Sequence, residues 1–226
     1  MKKSIGLDIG SQSIKLVELE KEGESFYLTK AIYKELEGKD PLFVIKETFL
    51  ENEINVEKTP FTLTCSSRDI LLKLIEVLPL KRESPEKLVS YEAQQEISIP
   101  LSELVWDYQI LNTKPKTEPK KVIFTATKKE NLEKIFDQIT HLNLKRVEYV
   151  DAEPFSLYNC LGFNGFLVTP KPSWLIELGT NTTTLIMFQK DDLWIKIIPG
   201  GSKQFNEFME RRWGISSEET IYLAMS

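Results

Sequence analysis

Apolar positions recur at two spacings along this chain of 226 residues, and the changes of spacing mark its elements. Apolar runs over Ser4–Ile9, Ile14–Glu20 and Phe26–Tyr33 predict a three-strand meander. Asp40-Pro41 starts a helix, with Asp suited to the N-cap and Pro to the first helical position. Leu42, Ile45 and Phe49 follow at helical spacing. Phe61–Cys65 and Ile70–Val77 read as further strands. Residues 1–77 are expected to form a first lobe built on a mixed sheet.

Ser84-Pro85-Glu86 starts a second helix by the same logic, running to about Glu96. The strands Leu104–Leu111 and Val122–Ala126 flank a solvated loop with the charged, proline-bearing run Lys114–Lys121. Thr127 to Glu130 reads as a capping box, and Leu132, Ile135, Phe136 and Ile139 then share one helix face. Val147–Val150 returns as a strand. Residues 78–149 are expected to form a small inserted α+β domain. The second lobe, 150–226, reads as a helix from Asp151 to about Leu161 and a meander over Trp174–Leu178, Thr183–Gln189 and Leu193–Ile198. Gly200-Gly201-Ser202 leads into a helix bearing Phe205, Phe208 and Met209, and Ser217 caps a last helix.

The two meanders open on the same pattern. Ile5–Val17 and Trp174–Ile186 align without a gap, placing Asp8 on Glu177, Gly10 on Gly179, Ser11 on Thr180 and Ser13 on Thr182. An internal repeat at so long a separation means two similar half-domains rather than a solenoid. Glycine allows a sharp turn and a close backbone approach. Exposed N–H groups and hydroxyls at such a turn make an anion site, and Lys15 adds a positive charge. An acidic residue beside that site suits hydrated Mg2+, which takes one or two carboxylates plus phosphate oxygens. Two facing tips would clamp a metal-bound polyphosphate. The plainer reading is two ordinary β-hairpins with polar ends.

Asp8 to Lys15 resembles the first phosphate motif of the actin-like ATPase superfamily, and Glu177 to Thr184 its second. Val150 to Tyr158, with Asp151-Ala152-Glu153-Pro154, looks like the superfamily's connecting helix. Within the superfamily the chain is similar to the type IV pilus assembly family PilM. That resemblance rests on Gly6–Lys15, on Tyr91–Leu101 with Trp106-Asp107-Tyr108-Gln109, and on Asp151–Phe155. It implies a mixed α+β, actin-like (ribonuclease H-like) two-lobe fold with an inserted small α+β domain. It also implies an ATP or ADP cleft. Gly10, Ser11, Ser13, Lys15, Gly179, Thr180, Thr182 and Thr183 would hold the nucleotide, Asp8 and Glu177 the Mg2+, and Glu153 with Asp8 would be catalytic. The implied partner is the N-terminal cytoplasmic tail of a PilN-like inner-membrane protein, seated between the first lobe and the insert. The protein would then be cytoplasmic, at the inner face of the bacterial inner membrane, held there through that partner and not by its own insertion.

Two departures bear on this. Glu177 stands where the superfamily usually has Asp, one methylene longer. The chain stops at Ser226 without the late Gly-Gly loop that serves adenosine, so the last subdomain is expected to be absent or truncated and nucleotide binding weak. The alternatives to a pilus scaffold are a scaffold like the cytoplasmic domain of the type II secretion protein GspL and an active, FtsA-like ATPase. Asp151 is expected to act as an N-cap rather than in catalysis.

Composition narrows the classes further. The chain is 41% hydrophobic and 28% charged, with a formal net charge of −5. Acidic and basic residues are interspersed, and no basic stripe points to nucleic acid. The two cysteines, Cys65 and Cys160, lack metal spacing and read as reduced core residues. His141 lies near a helix end and reads as solvent-exposed. No window approaches the run of apolar residues that a membrane-spanning helix requires.

Overall fold

The computed structural model describes residues 2–78, 83–111, 118–168, 171–189 and 192–216. The first segment forms strands β1 (Lys2–Ile9), β2 (Ser13–Glu22) and β3 (Ser25–Glu35), helix α1 (Pro41–Glu51), and strands β4 (Phe61–Cys65) and β5 (Ile70–Val77). Helix α2 (Pro85–Glu96) follows, then β6 (Leu104–Ile110), β7 (Lys120–Lys128), helix α3 (Lys129–His141) and β8 (Val147–Ala152). Helix α4 (Glu153–Phe163), strands β9 (Ser173–Leu178), β10 (Thr182–Gln189) and β11 (Asp192–Pro199), and helix α5 (Ser202–Trp213) complete the described chain. The helix expected after Ser217 lies outside the described residues, as does the first half of the Lys114–Lys121 run.

Three sheets carry the fold. The first has the order β3-β2-β1-β4-β8, antiparallel through the meander and parallel from β1 to β4 to β8. Ile5 and Leu7 of β1, Ile14 and Leu16 of β2, and Phe61 and Leu63 of β4 share its buried face. Val44, Ile45 and Phe49 of α1 cover them, with Ile135 and Ile139 of α3. Helix α1 starts as its sequence dictates: the Asp40 carboxylate accepts from Leu42 N, and Pro41 needs no donor partner. Parallel pairing fixes where the first tip points, because β1, β4 and β8 all end on the same side of the sheet.

A buried charge pins the meander. Glu18 is 3% exposed, beside a register irregularity between β2 and β3. Thr29 Oγ1 donates to its carboxylate at 2.8 Å, and Lys3 Nζ at 3.1 Å. Burial pushes the Glu18 carboxyl up, but the Thr29 and Lys3 bonds and the charges of Lys30 and Lys3 outweigh it and hold the group below its usual value. A carboxyl lowered in the folded state contributes stability above its unfolded pKa and loses it as pH falls through the folded pKa. Between about pH 6 and pH 3 the wild-type urea midpoint should therefore fall more steeply than that of Glu18→Gln. Parallel midpoint-against-pH curves for the two proteins would refute this.

The second sheet has the order β5-β7-β6, antiparallel throughout. Phe124 and Val122 at its centre pack with Val89 and Ala93 of α2. Two strands lie in other sheets than expected. Ile70–Val77, expected in the first lobe, pairs with β7, and Val147–Val150, expected in the insert, pairs with β4. Alternation identifies a strand but not its neighbour, and the β4–β8 pairing spans more than eighty residues of sequence. Thr127 is no helix cap either: it lies in β7 and its hydroxyl donates to Asp69 O at 2.8 Å, while Lys128 occupies the N-cap without a side-chain bond.

The third sheet, β11-β10-β9, is an antiparallel meander. Ile186, Phe188, Leu193 and Ile195 pack with Ile123 of the second sheet. The opposite face is open along β9: Trp174, Ile176 and Leu178 are 58%, 64% and 61% exposed. Trp174 meets Trp194 edge-on, with ring centroids 5.9 Å apart. Cys65 is buried, but Cys160 lies exposed on α4, against expectation. His141 is exposed at the end of α3, as its position suggests. No described helix is long and apolar enough to cross a membrane.

Candidate functional site

The two hairpin tips have the same backbone. Gly10 N donates to Ser13 O at 2.9 Å and Gly179 N to Thr182 O at 3.0 Å. A Cβ on Gly10 would lie 2.9 Å from Ser13 O, and one on Gly179 would lie 3.0 Å from Thr182 O, so each turn closes too tightly for an ordinary side chain. The tips face each other across one cleft of about 680 Å³. Asn181 Nδ2 of the second tip donates to Ser11 Oγ of the first at 2.9 Å. Asp8, Gly10, Ser11, Ser13 and Lys15 line the cleft from the first lobe. Glu153, Glu177, Gly179, Thr180 and Thr182 line it from α4 and the second lobe. Thr183 does not. Strand alternation turns it away from Thr182, and its hydroxyl donates to Gly200 O at 2.8 Å.

Asp8, Glu153, Glu177 and Lys15 meet in the cleft, which Glu35, Arg68 and Asp69 also line. Asp8 accepts from Lys15 Nζ at 2.9 Å and from Thr64 Oγ1 at 2.7 Å. Glu153 Oε2 accepts from the backbone N–H of Ser67 at 2.7 Å. Glu177 Oε2 is buried with no hydrogen-bond partner. Burial, then the charge of Glu153, pushes the Glu177 carboxyl up. The Thr184 hydroxyl and Lys15 pull the other way without cancelling this. Burial pulls the Lys15 ammonium down, but the bond to Asp8 and the charges of Asp8, Glu153 and Glu177 outweigh it and leave its pKa raised.

Three residues that shape this cleft are not among the expected site residues. Ser67 is buried on a short turn after β4. Its N–H holds Glu153, and its hydroxyl lies 3.3 Å from Thr184 Oγ1, so it ties the first sheet, α4 and the third sheet together. Thr184 aligns with Lys15 in the repeat and sits opposite Glu177 in register, as Lys15 sits opposite Asp8. Gly201, expected only as part of a turn, buttresses the second tip: a Cβ there would lie 2.2 Å from Gly179 O. Ser202 N and Lys203 N donate to Gly179 O and Thr180 O. The signal for Gly201 was the Gly-Gly pair after β11; Ser67 carries no motif.

The donor set fits a magnesium-bound polyphosphate in kind. A buried carboxylate oxygen without a partner, hydroxyls on both tips and a lysine between carboxylates are what such a ligand would meet. Among the described residues, no three His, Cys, Asp or Glu side chains cluster closely enough to hold a metal alone. A magnesium ion would therefore rely on water and phosphate oxygens for most of its ligands, with Asp8 and Glu177 nearest to it. Asp151 is not the N-cap of α4; that position is Ala152, whose N–H the Asp151 carboxylate accepts at 2.8 Å.

A second concavity, a groove of about 490 Å³, runs between the insert and a wall made by the end of β8, helix α4 and Leu193 of β11. Strands β6 and β7 form one wall through Asp107, Gln109 and Thr125. Strand β8 and helix α4 form the other through Asp151, Phe155 and Tyr158. Burial raises the Tyr158 phenol.

Two meander-headed lobes closing on one cleft, with a small α+β domain set into the first, define an actin-like, ribonuclease H-like fold. A family model described as type IV pilus assembly protein PilM matches residues 6–222, and the chain belongs to that family. A solved PilM–PilN type IV pilus biogenesis complex is similar to it at 21% identity and TM-score 0.79, covering 96% of this chain and 68% of the solved one. The cytoplasmic domain of EpsL, an inner-membrane component of the type II secretion system of Vibrio cholerae, matches at 11% identity and TM-score 0.57. That match covers 94% of this chain and 76% of the other. A Bacteroides thetaiotaomicron protein with an actin-like ATPase fold and unknown function matches at 10% identity and TM-score 0.51, over the same shares. At these identities the structures speak for the fold.

Proposed function

We propose that the protein is a cytoplasmic scaffold of the type IV pilus machinery, held at the inner membrane by the N-terminal tail of a PilN-like partner. The observation that carries this is the groove between the insert and the β8–α4 wall in a chain of the PilM family. An extended tail suits it, since the groove combines apolar floor residues such as Ile123 and Phe155 with strand edges. Ordering a flexible tail costs free energy, so affinity of about 1 μM is expected. A synthetic tail peptide of the cognate PilN-like protein tests this by titration and hydrogen exchange. Protection should appear in both β6 and β8; protection confined to the third sheet would sink the reading.

The cleft supports a companion role, because both repeat tips and the carboxylates of Asp8, Glu153 and Glu177 converge on it. Mg-ATP or Mg-ADP would bind there, with Asp8 and Glu177 toward the metal, Lys15 and the tip hydroxyls toward phosphate, and Glu153 placed to orient water. The scaffold role does not need turnover. Lys15→Ala and Asp8→Ala should each abolish magnesium-dependent nucleotide binding in calorimetry. Nucleotide heats unchanged in both variants would move the site elsewhere.

A further inference from the structure

The groove has a chemical bias that its shape alone does not convey. Asp107 and Asp151 face into it from opposite walls, and among its described lining residues there is no lysine, arginine or histidine. Both walls also end in sheet edges: β6 is the outer strand of β5-β7-β6, and β8 is the outer strand of the first sheet. Leu111 N donates to Lys121 O across the β6–β7 pair, so by strand alternation the N–H of Tyr108 points away from β7, toward the free edge. That N–H is not left bare. The Asp107 carboxylate folds back on it at 2.8 Å. On the facing wall the Asp151 carboxylate accepts from Ala152 N at 2.8 Å and from Ser156 Oγ at 3.2 Å. The β6 edge is thus stopped by the aspartate of the preceding residue, a cover that a peptide carbonyl can replace.

We infer that the groove's ligand is a positively charged extended segment that adds as a strand to the β6 edge. Its carbonyl takes the Tyr108 N–H, and its basic side chain or free α-amino group is met by the released Asp107 together with Asp151. This rests on the scaffold reading and deepens it by naming the chemistry of the tail. Charge complementarity supports the choice: a segment bearing carboxylates would bring like charges against Asp107 and Asp151, with no cation among the described lining residues to offset them. Strand addition supplies affinity through backbone bonds, and the aspartate pair supplies selection.

The test uses the full chain and the synthetic tail peptide of the cognate PilN-like protein. Asp107→Asn with Asp151→Asn removes both charges and keeps an oxygen for each N–H, while the Ser156 hydroxyl loses its acceptor on Asp151. Binding by this double variant should weaken at least about tenfold and lose most of its salt dependence. In the wild type, exchange of the Tyr108 amide should slow at least about tenfold on binding. If the peptide binds the groove but the double variant binds equally well, or Tyr108 is unprotected, the inference is overturned while the scaffold reading stands. If the peptide does not bind the wild type, the scaffold reading fails and takes the inference with it.

Discussion

Replacing Gly201 with valine should dismantle the second tip and cost about 2–4 kcal/mol of stability. A Cβ at this position lies 2.2 Å from Gly179 O and 2.7 Å from both the carbonyl carbon and the oxygen of Thr180. The obstructing atoms are backbone, so no side-chain rotation relieves the clash. Either α5 backs away, losing the bonds from Ser202 N to Gly179 O and from Lys203 N to Thr180 O, or the tip itself shifts. In both cases Thr180 and Thr182 leave their positions opposite Ser11 and Ser13. Gly6→Ala is the control, because open space surrounds Gly6. A urea midpoint for Gly201→Val equal to that of the control would refute the buttress.

Phe124→Ala should be the most damaging single truncation in the insert, at about 3–5 kcal/mol. Phe124 is fully buried at the middle of β7, flanked by both neighbours in its sheet, and stacks on Trp106 at 5.5 Å between ring centroids. Truncation removes the ring and leaves a void that Val89 and Ala93 of α2 fill only in part. The groove depends on this strand, since Ile123 and Thr125 on either side of Phe124 form part of its wall. Peptide binding should therefore fall with the insert's exchange protection, while the β1–β2 amides of the first sheet keep theirs. Unchanged protection across β5 to β7 would show that the insert is held by other contacts.

Local chemistry was legible and tertiary partnership was not. The strands of both meanders followed from alternation, and helices α1 and α2 from Asp40-Pro41 and Ser84-Pro85, because each signal lies within a few residues of the element it specifies. The cleft was legible because its two halves repeat, so that one unremarkable turn became a pair. Thr183 was misplaced beside Thr182, although a two-residue period separates their faces. The neighbours of β5 and β8, and the linking role of Ser67, depend on contacts made only once the chain has folded. No spacing rule reaches across such distances. Cys160 was read from its apolar neighbours, but α4 presents that position to solvent.

The open row on β9 has a practical consequence for handling the chain. Trp174, Ile176 and Leu178 stand on a strand whose outer edge pairs with no other described strand. Between Ser173 and Leu178 there is no lysine or proline, and the one charge, Glu177, points into the cleft. Nothing on that row repels a second copy of itself. Self-association along β9 would therefore rise with concentration ahead of any unfolding, and a lysine at Ile176 is the substitution that would make the edge colloidally quiet.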